Sequence, residues 1–160
     1  MSADAKIAEL KLELPPLPKP AGVYKPVVIS GGKAYVSGHG PLKSDKTMIT
    51  GRIGDGVDLA TGVAAARQTG LAILATLRDR LGSLDHVTRV VKVLGMVNCT
   101  PDFTQHPQVI NGCSELFRDI WGEELGVGAR SAVGMGSLPG NITTEIEVIF
   151  EIDPARVKKA

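Results

Sequence analysis

The chain has 160 residues, 43% hydrophobic and 22% charged, which is enough apolar material for one domain with a sizeable core and too little length for two of ordinary size. Its 18 Lys and Arg are almost balanced by 17 Asp and Glu, for a net charge of +1, so it has no broad basic field to hold a nucleic-acid backbone. No apolar run reaches bilayer-spanning length, and MSADAKIAEL at the N-terminus lacks the basic and apolar regions of a secretory signal. The two cysteines, Cys99 and Cys113, make neither a disulfide framework nor a metal-ligand spacing. The expectation is a cytoplasmic protein with reduced thiols, no metal and no membrane contact.

Taken in order, residues 1–20 read as an extended, proline-rich N-terminal arm, because Pro15, Pro16, Pro18 and Pro20 oppose helix. A single domain is expected over residues 21–153, with a C-terminal tail at 154–160. PVVISGGKAYVSG is two β-rich runs about Gly31-Gly32, the signature of a hairpin with a two-residue turn. From Val57 to Leu81 apolar residues recur at three- and four-residue steps (Ala60, Val63, Ala64, Leu71, Leu74, Leu77, Leu81), which predicts a helix stopped by Gly82. HVTRVVKVLGMVN is β-branched and apolar on nearly both faces, as a central strand is.

Pro107 can open a second helix, and Val109, Ile110, Cys113, Phe117 and Ile120 give it one apolar stripe up to Gly122. GEELGVG reads as a loop. A strand from Ala129, a turn at Leu138-Pro139-Gly140-Asn141 and a last strand follow, the last with Ile142, Thr144, Ile146, Val148, Phe150 and Ile152 on one face. The order ββαβαββ predicts an α+β fold, a mixed sheet with two helices on one face. The other face lacks a cover within one chain, which points to self-association.

The strand GARSAVGMG raises a chemical question. Arg130 heads a face whose other members are Ala132, Gly134 and Gly136. Such a face leaves room either for another part of the chain to pack closely or for a ligand. A guanidinium beside that room presents parallel donors that fit a carboxylate.

Ala129-Arg130-Ser131-Ala132-Val133, Leu138-Pro139, Glu145-Ile146-Glu147, Gly22-Val23-Tyr24, Ser37-Gly38-His39-Gly40-Pro41 and VINGCSELF occur in one order over roughly residues 21–152. In this they resemble the RidA (YjgF) family, often named endoribonuclease L-PSP. The resemblance implies a chorismate-mutase-like fold, a homotrimer with sites between subunits, and no cofactor. It implies hydrolytic deamination of 2-imino and 2-enamino acids, such as 2-aminoacrylate, to 2-keto acids and ammonia.

By the same resemblance Arg130 grips the substrate carboxylate and Glu145 serves the attacking water. Chain order puts the two on adjacent strands. Tyr24, Ser37, His39, Asn111 and Ala132 complete the substrate-binding set. The chain departs from the common pattern at Ala132 (often cysteine), His39 (often glutamine) and Ser114 (often tyrosine), so a thiol at position 132 takes no part in the chemistry. Two alternatives stand beside the deaminase. One is an endoribonuclease acting on single-stranded RNA, which the near-neutral charge and few aromatics oppose. The other is a non-catalytic binder of small 2-keto acids.

Overall fold

The computed structural model describes residues 2–155. Its elements are α1 (Ala3–Glu9), β1 (Val27–Ser30), β2 (Lys33–His39), β3 (Arg52–Ile53), β4 (Gly56–Val57), α2 (Leu59–Leu81), β5 (Val87–Asn98), α3 (His106–Gly126), β6 (Ala129–Met135) and β7 (Thr144–Ile152). Five strands form one sheet in the order β1-β2-β7-β5-β6, while β3 and β4 make a separate two-residue parallel pair. The β5–β6 pairing is parallel and the other three are antiparallel, so the large sheet is mixed.

Local chemistry accounts for most boundaries. Gly31 and Gly32 both take positive φ, 56° and 72°, and Ser30 pairs directly with Lys33; that backbone twist joins antiparallel strands with two residues. Asp58 caps α2 by accepting from the Thr61 amide at 2.8 Å, and Gly82, at φ 83°, ends it. On α3, Pro107 sits in the first turn and Val109, Ile110, Cys113, Phe117 and Ile120 are all buried. Thr144, Ile146, Val148, Phe150 and Ile152 of β7 face the same core. Phe117, Phe150 and Trp121 meet there, with ring centroids 5.6–5.8 Å apart. The two long helices lie close together because Gly112 has no side chain: a Cβ there would collide with the Val63 carbonyl of α2.

Several boundaries differ from the sequence expectation. Within the stretch read as an extended arm, residues 3–9 are helical: Ser2 accepts from the Ala5 amide at 3.3 Å, and Ala3 and Ile7, one turn apart, are buried. The prolines govern only their own neighbourhood, and Leu12–Pro20 indeed has no regular structure. The helix expected from Val57 starts at Leu59, since Val57 pairs with Ile53. Gly122, at φ 80°, interrupts α3, but the chain resumes one more turn to Gly126 where a loop is expected. Ile142 precedes β7 and is buried without belonging to it. There are thus three α-helices among the described residues where two are expected.

Among the described residues nothing covers the sheet opposite α2 and α3. Tyr35, Val28 and Val133 are exposed on that face, and Leu94 and Met96 are half-buried.

Candidate functional site

Cross-strand register fixes which face each candidate occupies. Val93 of β5 lies opposite Arg130 on one side and Val148 on the other, and both valines are buried under the helices. Arg130 therefore belongs to the helix-covered face, on β6 at the edge of the sheet. Its Nη1 donates to Asn111 Oδ1 at 2.8 Å and to Ser114 Oγ at 3.1 Å, and its Nη2 to the Pro107 carbonyl at 3.4 Å. Asn111 and Ser114 are three residues apart and so share one flank of α3. These side chains open onto a cleft of ≈ 390 Å³ whose far wall includes Arg118, Glu123 and Gly128.

Of the two purposes that the sequence leaves open for the small residues beside Arg130, close packing is the one they serve. Ala132 is half-buried against the core. At Gly134 a Cβ would lie 2.5 Å from His106 Nε2 and 2.9 Å from Cys99 Sγ, so close packing demands glycine there. At Gly136 a Cβ would meet nothing within 4 Å.

Glu145 lies on the other side of the sheet. It pairs with Met96, whose side chain points away from α2 and α3. Burial, and secondarily the neighbouring Glu147 carboxylate, pushes its pKa upward. Its carboxylate rests against Gly38, where a Cβ would displace it. Next to Gly38, Ser37 donates through Oγ to the Lys25 carbonyl at 2.7 Å and through its amide to the Pro26 carbonyl at 2.9 Å. That anchors the segment carrying Tyr24, which is exposed and whose hydroxyl accepts from the Ala21 amide at 3.3 Å.

Two expectations about geometry are corrected by this arrangement. Arg130 and Glu145 do not sit on adjacent strands, because β5 runs between β6 and β7; moreover, they occupy opposite faces. His39 does not line an open pocket. A bulge between Val36 and His39 turns its ring under α2, where Nε2 lies 2.8 Å from Thr76 Oγ1 and Nδ1 2.6 Å from the Ser37 carbonyl. Burial lowers its pKa, so the ring is a neutral core group. Within one chain the candidates therefore separate, with Arg130, Asn111, Ser114 and Ala132 on the helix-covered side and Glu145 and Ser37 on the other.

A further cleft of ≈ 360 Å³ was not legible in the sequence. Arg52 Nε donates to the Cys99 carbonyl at 3.0 Å, and Cys99 Sγ lies 3.5 Å from His106 Nε2. Burial raises the Cys99 pKa, which keeps the thiol protonated and a poor nucleophile. No motif links these three residues, and only the fold unites them. Among the described residues no three His, Cys, Asp or Glu side chains cluster as metal ligands, and no helix is long and apolar enough to cross a membrane.

A mixed five-stranded sheet with its long helices on one face, and an arginine held at the sheet edge by the second of them, make this an α+β protein with a candidate anion-binding group at the edge of its sheet. Residues 4–148 match the family model described as "YjgF/chorismate mutase-like, putative endoribonuclease", and the chain belongs to that family. It is 37% identical to the Trypanosoma cruzi protein TCP17 over 93% of each chain. Among solved structures, an Agrobacterium tumefaciens protein of unknown function is 41% identical with a TM-score of 0.86, covering 94% of this chain and 92% of that one. A "putative endoribonuclease" from Shewanella oneidensis superposes with a TM-score of 0.90 at 26% identity, over 95% and 100%. RidA from an Antarctic Psychrobacter is also 26% identical, with a TM-score of 0.60 over 85% and 94%.

Proposed function

We propose that the chain hydrolyses 2-imino acids and their enamine tautomers to 2-keto acids and ammonia, at sites completed between the subunits of a homotrimer. The observation that carries this reading is the division of the candidate residues. An arginine suited to a carboxylate and an acid with a raised pKa lie on opposite faces of one sheet. A second copy docked on the uncovered face can bring its Arg130 to Glu145, and it would cover the apolar side chains left exposed there.

In the reaction, Arg130 holds the substrate carboxylate. Water attacks the imine carbon while Glu145 takes one of its protons and passes it to the imine nitrogen, giving the carbinolamine; Glu145 then carries the carbinolamine hydroxyl proton to the amine nitrogen as the C–N bond breaks, which leaves the 2-keto acid, ammonia and Glu145 in its starting state. A carboxylate pushed above its ordinary pKa is a better match for that proton traffic near neutral pH than an ordinary one. Neither a cofactor nor a thiol is needed, in keeping with Ala132. The endoribonuclease description of some neighbours fits this chain less well, because a net charge of +1 can engage few phosphates.

The test is ammonia release while an amino-acid oxidase generates 2-imino acids in situ, with and without the protein, across pH. Acceleration is expected, with the acid limb displaced above the ordinary carboxylate range and abolished in Glu145→Gln. Unchanged ammonia release alongside retained binding of a 2-keto acid would instead make the protein a binder.

A further inference from the structure

The guanidinium of Arg130 carries five N–H donors. Nη1 donates to both Asn111 Oδ1 and Ser114 Oγ, and Nη2 donates to the Pro107 carbonyl. No ion pair among the described residues involves Arg130. Nε–H has no hydrogen-bond acceptor among the described residues, and Nε and Nη2 together form one side edge of the guanidinium plane.

We infer that Ser114 is a positioning residue: with Asn111 it occupies Nη1 completely, so that a ligand carboxylate is gripped side-on by Nε and Nη2 rather than end-on by the two terminal nitrogens. The inference rests on the carboxylate-gripping role proposed above for Arg130. Ser114 has no other side-chain hydrogen bond among the described residues, so its hydroxyl serves Arg130 rather than a cap or a core network. It lies three residues beyond Asn111 on a regular part of α3, and the two oxygens form a rigid seat. Bidentate contact along one fixed edge sets the carboxylate plane, and thereby the orientation of the adjacent C2, where water must attack.

The experiment uses the full chain and has two arms. In ligand-free protein carrying ¹⁵N-labelled arginine, the locked guanidinium is expected to give separate Nη1 and Nη2 signals for Arg130. Ser114→Ala is expected to merge them by faster rotation, whereas Ser114→Thr, which keeps the hydroxyl, should preserve the separation. Separate signals that persist in Ser114→Ala overturn the inference, whatever the ligand. In the second arm, pyruvate is the probe: its Kd should rise about tenfold in Ser114→Ala, as expected for a guanidinium that has lost one charge-assisted bond, and stay within roughly twofold in Ser114→Thr. Pyruvate binding that is unweakened in Ser114→Ala refutes the inference and leaves the proposed function standing. A wild type with separate signals that binds no pyruvate supports the seat on Arg130 and refutes the carboxylate role.

Discussion

The placement of Arg130 and Glu145 on opposite faces makes a quantitative prediction about mixed oligomers. Arg130→Ala removes a bidentate, charge-assisted contact worth about 2–4 kcal/mol, which lowers kcat/KM by roughly 30- to 1000-fold. Glu145→Gln removes the proton acceptor and is expected to lose roughly 100-fold or more. Each variant alone is then nearly silent. If every site takes Arg130 from one subunit and Glu145 from the next, however, a randomly assembled equal mixture contains intact sites. A site is intact when its first subunit is Glu145→Gln and its second is Arg130→Ala, which occurs with a chance of about one in four in any closed ring. The two variants, given different affinity tags and co-expressed, should therefore recover about a quarter of wild-type specific activity. The assay is ammonia release from oxidase-generated imines, with oligomer mass followed by sedimentation. Co-assembled mixtures no more active than the average of their parents would refute the shared site.

Three other substitutions probe the surroundings. Gly38→Ala places a methyl where the Glu145 carboxylate rests; the flexible acid can swing aside, so Tm should hardly move while kcat falls roughly 100-fold through misplacement of the base. Gly112→Ala meets the Val63 main chain, which cannot yield in the same way, and should cost about 3 kcal/mol, read as a Tm drop of roughly 6–12 °C; an unchanged Tm would mean that α2 and α3 can separate at little cost. Because burial depresses the His39 pKa from its ordinary 6.5, the unfolded chain takes up a proton on that ring before the folded one does. Stability should therefore fall as pH drops below about 6.5, and His39→Gln should flatten that slope in denaturant titrations.

How much of this was legible depended on whether a feature was local. The Gly31-Gly32 turn, the Gly82 stop and the apolar stripe of α3 are each written within a few residues, and all three stand as read. The helix at Ala3–Glu9 was masked by the prolines that follow it, although Ala3 and Ile7 carry its spacing. Strand order was not local. Chain order places the strand of Arg130 beside that of Glu145, but β5 inserts between them, and alternation alone does not say which face of a sheet receives the helices. His39 shows the same limit: its motif sits on a strand, yet a bulge turns the ring inward to Thr76. The cleft formed by Arg52, Cys99 and His106 depends on pairings across 47 and 7 residues that no motif announces.

The small residues beside Arg130 connect packing to chemistry. Gly95 lies opposite Ala132 in the β5–β6 register, on the helix-covered face. A Cβ at Gly95 would lie 2.5 Å from Ile110, and one at Gly134 would lie 2.5 Å from His106, both on the first turns of α3. Gly95, Ala132 and Gly134 thus form a shallow seat that lets this end of α3 settle close to the sheet edge. Larger residues there would lift the helix, and even a small lift matters to hydrogen bonds of 2.8 and 3.1 Å. Asn111 and Ser114 would lose their hold on Arg130, whose guanidinium would then be free to rotate. The glycines of β5 and β6 therefore act on the candidate site at one remove: they set the height of α3, α3 sets the orientation of the arginine, and the arginine determines which edge a carboxylate meets.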